Sequence, residues 1–178
     1  MAHDASLVIA GTGPDADIRC YKELVRQNNL TREVSFPGQI EHIYLPDLLN
    51  AARVLVLPAF HEPFGLVLLE ALACGTRVVT TNQGGPPEFI PESLRMAGRA
   101  SLVSGLRSLH PAQDEERRFV EQLADSVAKQ MSEPSTPKER SAISRSVQAL
   151  SWSTYVKRLA QVYQSALDLR GTTQLPTP

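Results

Sequence analysis

Four short apolar runs, each closed by glycine, proline or a polar turn, constrain this chain to a parallel α/β fold. Ser6-Leu7-Val8-Ile9-Ala10 ends at Gly11, and Val34-Ser35-Phe36 is closed by Pro37-Gly38. Val54-Leu55-Val56-Leu57 ends at Pro58, and Arg77-Val78-Val79-Thr80 runs into the tight loop Asn82-Gln83-Gly84-Gly85-Pro86-Pro87. Unbroken apolar runs of this length read as strands buried on both faces. Between them the period changes. Asp15 to Asn28 carries Ile18, Tyr21, Leu24 and Val25 at helical spacing, and Pro46 suits the first turn of a short helix through Leu48, Leu49 and Ala52. A further helix opens after Gly65 and is closed by Gly75. Strands alternating with helices predict an open, Rossmann-like parallel sheet with helices on both faces.

Beyond Pro91 the pattern is weaker. Ala100-Ser101-Leu102-Val103 reads as a strand, and Gln113 to Met131 as an amphipathic helix with Phe119, Val120, Leu123, Val127 and Met131 on one face. Glu133-Pro134-Ser135-Thr136-Pro137 breaks it. Two more helices follow, Lys138 to Leu150 and Ser153 to Leu169, the last capped by Ser151 or Ser153. The expected organisation is a Rossmann-like domain over 1–131, C-terminal helices over 132–170 and a disordered tail over 171–178.

Composition narrows the function. The formal net charge of -1 and the dispersed lysines and arginines argue against a nucleic-acid surface. No apolar run approaches the roughly 20 residues that span a bilayer, and the N-terminus has no signal-peptide pattern. The two cysteines, Cys20 and Cys74, have no CxxC spacing and suit a reducing cytoplasm. The four histidines show no metal-ligand spacing. His61-Glu62 begins like HExxH, but Gly65 stands where the second histidine belongs, so no zinc site is expected.

Chemistry concentrates in Glu62-Pro63-Phe64-Gly65-Leu66-Val67-Leu68-Leu69-Glu70. The segment follows a strand of a parallel sheet, and ligands of such sheets bind outside the carboxyl ends of the strands. A helix beginning there presents N–H groups and a positive dipole end to anions. Glu70 lies in an almost wholly apolar helix, expected to be buried on most faces. Its carboxylate needs donors, which a ligand's hydroxyl pair, the backbone or an arginine would supply. Gly11-Thr12-Gly13-Pro14-Asp15-Ala16 matches GxGxxA between strand and helix, which raises nicotinamide or flavin binding as an alternative. That fingerprint also requires an acid at the end of the next strand, and Phe36-Pro37-Gly38 offers none. Gly13 is equally a plain turn, while Gly11 would let a ligand approach the backbone.

Taken in order, the glycine turn, Glu62-Pro63-Phe64-Gly65-Leu66, Glu70 and Gly84-Gly85-Pro86-Pro87-Glu88 resemble the donor-binding C-terminal domain of retaining GT-B glycosyltransferases of the group 1 type. Pro58-Ala59-Phe60-His61-Glu62-Pro63-Phe64-Gly65-Leu66 is worded like the sucrose synthase and sucrose-phosphate synthase branch. The resemblance runs from about Leu7 to Glu88 and continues faintly at Pro111, Asp114 and Ser151-Trp152.

The resemblance implies a sugar transfer from a nucleoside diphosphate sugar with retention at the anomeric carbon. Glu62 would be the first glutamate of the family's E-x7-E motif and contact the donor sugar. The N–H groups of Phe64, Gly65 and Leu66 would face sugar hydroxyls and diphosphate, and Glu70 the ribose hydroxyls. Gly11 would be a donor-binding residue, and Gly38, Gln39 and Ile40 would border the base. Gly84, Gly85 and Glu88 are either ligand contacts or a packing turn, and His61 is a solvated or packing residue. No metal and no cofactor besides the donor substrate are expected.

The chain also departs from the family. The cationic diphosphate contacts and the N-terminal acceptor-binding domain have no counterpart, so a fragment with little or no activity by itself is expected. Arg77 replaces a common proline with no evident chemical consequence. Alternatives are a non-catalytic nucleotide-sugar-binding module, a nicotinamide-dependent oxidoreductase, and GT-B relatives that phosphorolyse or epimerise sugars. The full-length protein is expected to be cytoplasmic, with no transmembrane segment and with peripheral membrane association open.

Overall fold

The structure, a computed structural model, describes residues 5–171. It divides into two compact units, Met1–Leu48 and Leu49–Pro178.

In the first unit, β1 (Leu7–Ala10) pairs in parallel with β2 (Val34–Gly38), and α1 (Asp15–Gln27) connects them. Leu7 lies opposite Val34, Val8 opposite Ser35 and Ala10 opposite Gly38, with an irregularity between Val8 and Ala10. The expectation of a buried first strand fails. Leu7, Val8 and Ile9 are 48%, 42% and 40% exposed, and α1 has no buried residue. Two strands and one helix hold too little material to enclose a core. Apolar spacing marks the face that needs cover and does not supply the cover. A 3-10 turn (His42–Tyr44) then leads into α2 (Leu45–Ala51), within which the division falls.

The second unit is built on β3 (Val54–Leu57), β4 (Arg77–Thr81) and β5 (Ala100–Val103), parallel and in that order across the sheet. Val54 aligns with Arg77 and Leu57 with Thr80, while Val78 aligns with Ala100 and Thr81 with Val103. The expected single sheet is thus realised as two parallel sheets flanked by helices. All five residues of the central strand β4 are buried, whereas the edge strand β3 is half-buried throughout. The buried polar residues of β4 are paired, as the interior requires. Thr80 Oγ1 donates to the Leu57 carbonyl at 2.9 Å, and Thr81 Oγ1 to that of Ala59 at 2.8 Å.

α3 (Leu66–Ala73) covers this sheet with Leu68, Ala71 and Leu72, all fully buried. Its expected burial on most faces is corrected: Leu66 is 58% exposed, Ala73 is exposed, and Val67, Leu69 and Glu70 are half-buried. A helix lying on a sheet as an outer layer keeps one face at the surface whatever its composition. Two short helices, α4 (Pro86–Phe89) and α5 (Glu92–Met96), occupy a stretch that shows no clear sequence period.

α6 (Gln113–Ser132), α7 (Pro137–Ser146) and α8 (Trp152–Gly171) complete the unit. On α6, Val120 is 55% exposed despite its place in the apolar stripe, and Gln130 is buried with its Nε2 donating to Ser101 Oγ at 2.9 Å. α7 ends at Ser146, short of the expected Leu150, and a 3-10 turn (Gln148–Leu150) follows. Thr136 caps α7 by accepting from Glu139 N–H at 3.2 Å. Ser151 is the cap of α8, accepting from Thr154 N–H at 3.4 Å. The expected tail lies outside the described residues but for its first, Gly171. Among the described residues no helix is long and apolar enough to cross a membrane.

Arg77, expected to have no evident chemical consequence, is the anchor of the amino end of β4. Its guanidinium is buried and donates to Glu139 Oε1 at 2.6 and 3.1 Å and to the carbonyls of Gln130 at 2.6 Å, Glu133 at 3.0 Å and Pro134 at 2.9 Å. The fork thereby satisfies the Gln130 carbonyl of α6, two carbonyls of the turn that follows it and the Glu139 carboxylate of α7 together. Arg140 does related work beside it, donating to the carbonyls of Ala52 at 3.2 Å and Cys74 at 3.0 Å and to Thr76 Oγ1 at 3.1 Å.

Candidate functional site

The Glu62–Leu66 turn lies beyond the carboxyl end of β3 and delivers the chain into α3. Gly65 is its pivot. It is buried with φ +85, and a Cβ there would fall 2.8 Å from Leu68 Cδ1 and 3.2 Å from Glu62 Cγ. Both the left-handed backbone and the tight contact demand glycine. Its carbonyl accepts from Leu68 N–H at 2.9 Å and Leu69 N–H at 3.3 Å, which starts the helix. The first-turn N–H groups of an α-helix have no intrahelical acceptor, so this terminus is suited to an anion.

Glu62, Phe64, Gly65 and Leu66 lie at that terminus, and Glu70 follows one turn into the helix. Glu62 is half-buried, Phe64 and Leu66 are 48% and 58% exposed, and Glu70 is half-buried. Glu70 as a residue therefore keeps part of its surface in solvent, less burial than its apolar neighbours imply. One expectation changes further. The Phe64 N–H, assigned to sugar hydroxyls and diphosphate, donates to Glu62 Oε1 at 3.3 Å. A side chain two residues upstream reaches back over its own turn. His61 is exposed.

The turn is closed by a second segment. Glu62 forms an isolated parallel bridge with Gly84, and Gly85 N–H donates to the Glu62 carbonyl at 2.8 Å. Gly84 has φ +78, and a Cβ on it would fall 2.0 Å from the Glu62 carbonyl oxygen. Gly84 and Gly85 are thus packing residues of the site, and Glu88 is exposed on α4. The sequence shows the glycine pair but not its partner. At the far end of α3, burial pushes the Cys74 thiol up from its ordinary value, against a lowering by Arg140.

The other candidates belong to the first unit. Gly11 N–H donates to the Gly38 carbonyl at 2.8 Å, which joins the carboxyl ends of β1 and β2. Gly11 has φ +125 and Gly38 φ +80, and a Cβ on either would meet nothing within 4 Å. Their backbone is open to an approaching ligand. Gln39 is exposed and Ile40 half-buried.

Two open hollows lie elsewhere in the second unit. One of about 360 Å³ is lined by Arg77, Arg99 and Lys138, and one of about 340 Å³ by Asn82, Gly105, Arg107 and Gln122. Glu62 and Glu70 line neither. Beside the second hollow, the Arg107 N–H donates to Glu115 Oε1 at 2.8 Å and, ahead of the Arg107 side chain, holds that carboxyl below its ordinary value. Among the described residues no three His, Cys, Asp or Glu side chains come together as a metal site.

The sequence matches the family described as Glycosyl transferases group 1 across residues 1–95, more than half of the chain, and the chain belongs to that family. It is 32% identical over 163 residues to a glycogen synthase of Mycobacterium tuberculosis, covering 90% of this chain and 35% of that protein. Among solved structures it is similar to a sucrose-phosphate synthase of Thermosynechococcus elongatus, with 27% identity, a TM-score of 0.60, and coverage of 92% of this chain and 39% of that one. The C-terminal domain of a group 1 glycosyl transferase from Francisella tularensis gives 25% identity and a TM-score of 0.61, covering 86% and 71%. The chain spans about a third of the glycogen synthase and two fifths of the sucrose-phosphate synthase.

Proposed function

We propose that this chain is the donor-binding domain of a retaining hexosyltransferase that moves a sugar from a nucleoside diphosphate sugar to an acceptor. The observation that carries the reading is the glycine-opened N-terminus of α3 beyond the carboxyl end of β3, with Glu62 in the turn that leads into it and Glu70 within the helix. In this reading Glu62 contacts the donor sugar and is the catalytic residue. Glu70 binds the ribose hydroxyls, and the N-terminus of α3, with Gly65 and Leu66, receives the diphosphate.

The chemistry follows a front-face path. The bond between the anomeric carbon and the diphosphate oxygen breaks as the acceptor oxygen bonds to that carbon from the same face. The acceptor's proton passes to the departing diphosphate. No second carboxylate at glycosidase spacing is then required. The chain's part is to stabilise negative charge on the leaving group with oriented N–H dipoles. The two free cysteines suit a cytoplasmic enzyme.

The test is calorimetric titration of the chain with the uridine, adenosine and guanosine diphosphate glucoses and with NAD. At least one nucleotide sugar is expected to bind more tightly than NAD, and Glu70→Ala to weaken it about tenfold or more, the scale of a charge-assisted hydrogen bond. Tighter binding of NAD than of every nucleotide sugar would overturn the reading.

A further inference from the structure

The donor roles above leave unused the segment that braces the Glu62 turn from behind. Gly84 and Gly85 differ in an instructive way. Gly84 needs glycine on two grounds, its backbone at φ +78 and the Glu62 carbonyl oxygen 2.0 Å from where a Cβ would lie. Gly85 has φ -72 and ψ -33, which any residue adopts, and stands as the N-cap of α4. Its requirement for glycine comes from outside: a Cβ on Gly85 would lie 2.4 Å from the Pro63 carbonyl oxygen and 2.9 Å from Phe64 Cα. Both groups are backbone, so neither swings aside as a flexible side chain would. From the same short helix, the Phe89 ring stacks on Phe64 with centroids 5.1 Å apart and an interplanar angle of 24°. The Glu62 carbonyl accepts from Gly85, and the Glu62 carboxylate accepts from Phe64. Residues 62 to 64 are therefore held at three points by residues 84 to 89, while Glu70 is fixed independently by α3.

We infer that Gly85 and Phe89 are positioning residues that set the Glu62 carboxylate, so that the Gly84–Phe89 segment governs recognition of the donor's sugar and leaves that of its nucleotide to Glu70 and the α3 terminus. The inference rests on the donor reading given above. Gly85→Ala adds one methyl group at an unstrained backbone position and displaces the Pro63–Phe64 peptide. Phe89→Leu removes the stack while keeping an apolar side chain.

The test compares each of uridine, adenosine and guanosine diphosphate with its glucose conjugate, by calorimetry on the full chain. The readout is the sugar increment, the ratio of the two affinities for the base that binds best. Gly85→Ala is expected to reduce the increment about tenfold, as one charged hydrogen bond would, while the diphosphate alone binds within about twofold of wild type. Phe89→Leu reduces it several-fold in the same sense. Gly85→Ala combined with Glu62→Ala is expected to be no worse than Glu62→Ala alone, since both act through one carboxylate. A variant set that keeps the wild-type increment, or that loses diphosphate and conjugate equally, overturns the inference alone. A wild-type chain without any increment, or one whose increment survives Glu62→Ala, fells the donor reading and this inference with it.

Discussion

The two ends of β4 are fastened by opposite means. At the amino end, Arg77 brings a buried charge to a carboxylate and three carbonyls, so attachment is by polar groups that have left water. At the carboxyl end, Gly84 and Gly85 attach by having no side chain, and the contact is backbone against backbone. The first arrangement resists displacement because any loosening strands unpaired donors and acceptors in the interior. The second has little energy of its own and sets a shape. A parallel sheet places ligands at the carboxyl ends of its strands, so in this unit one end of the strand holds the fold and the other holds the site.

The largest test of that division is at Arg77. Arg77→Met leaves Glu139 and the carbonyls of Gln130, Glu133 and Pro134 without their main donor and is expected to destabilise the chain by about 3–5 kcal/mol, read by urea denaturation. Ligand affinity of the remaining folded protein should stay at wild type. A stability loss under 1 kcal/mol would mean that Arg99, 3.1 Å from Glu139, suffices as partner. Next in size is the cap of α7, where Thr136→Ala should cost about 1 kcal/mol by the same measurement and nothing in binding. At the other end the order reverses. Glu62→Gln should change stability by no more than about 0.5 kcal/mol, as half-exposed sites do, yet reduce the sugar increment. An equal loss in both quantities would erase the contrast between the two ends.

Smallest is an effect of pH. Because Glu115 is held below its ordinary value by the Arg107 N–H, its tie is present above the ordinary glutamate range. It is lost as pH falls through that range to the lowered folded value. The protection factor of the Arg107 amide, the intrinsic exchange rate relative to the observed one, should therefore fall on acidification, and in Glu115→Gln it should not change with pH.

Cysteine reactivity offers a separate check on the far end of α3. With its thiol pushed up by burial, Cys74 should be alkylated by iodoacetamide more slowly than the exposed Cys20 at neutral pH. Mass spectrometry of the two peptides decides it.

Much of this was legible in the sequence, for reasons that differ by residue. β4 and β5 fall where apolar runs between turn residues put them, because strand pairing needs only local pattern and length. Gly65 and Gly75 were readable as helix punctuation because the left-handed backbone is nearly glycine's own. The cap of α8 was readable as Ser151 or Ser153, because a capping hydroxyl acts within three residues, and it is Ser151. What escaped depends on distance. The exposure of Leu7 and Tyr21 turns on what else is packed nearby, and periodicity is silent about that. Arg77 looked idle because all its partners lie more than fifty residues ahead, between Gln130 and Glu139. Glu62 and Gly84 were both visible as motif residues, yet nothing local announces that they touch. α4 and α5 were missed because four or five residues are too few to show a period.

The bridge between Glu62 and Gly84 has a consequence for reading such chains at all. The nine residues from Glu62 to Glu70 spell a signature, but their geometry is written elsewhere, in a glycine pair about twenty residues downstream across a strand. A gene truncated between the two, or a homologue with a bulkier residue at the second glycine, would still carry the signature word for word. It would no longer carry the shape. In the donor reading a competent copy needs the downstream pair as well as the glutamates that give the motif its name.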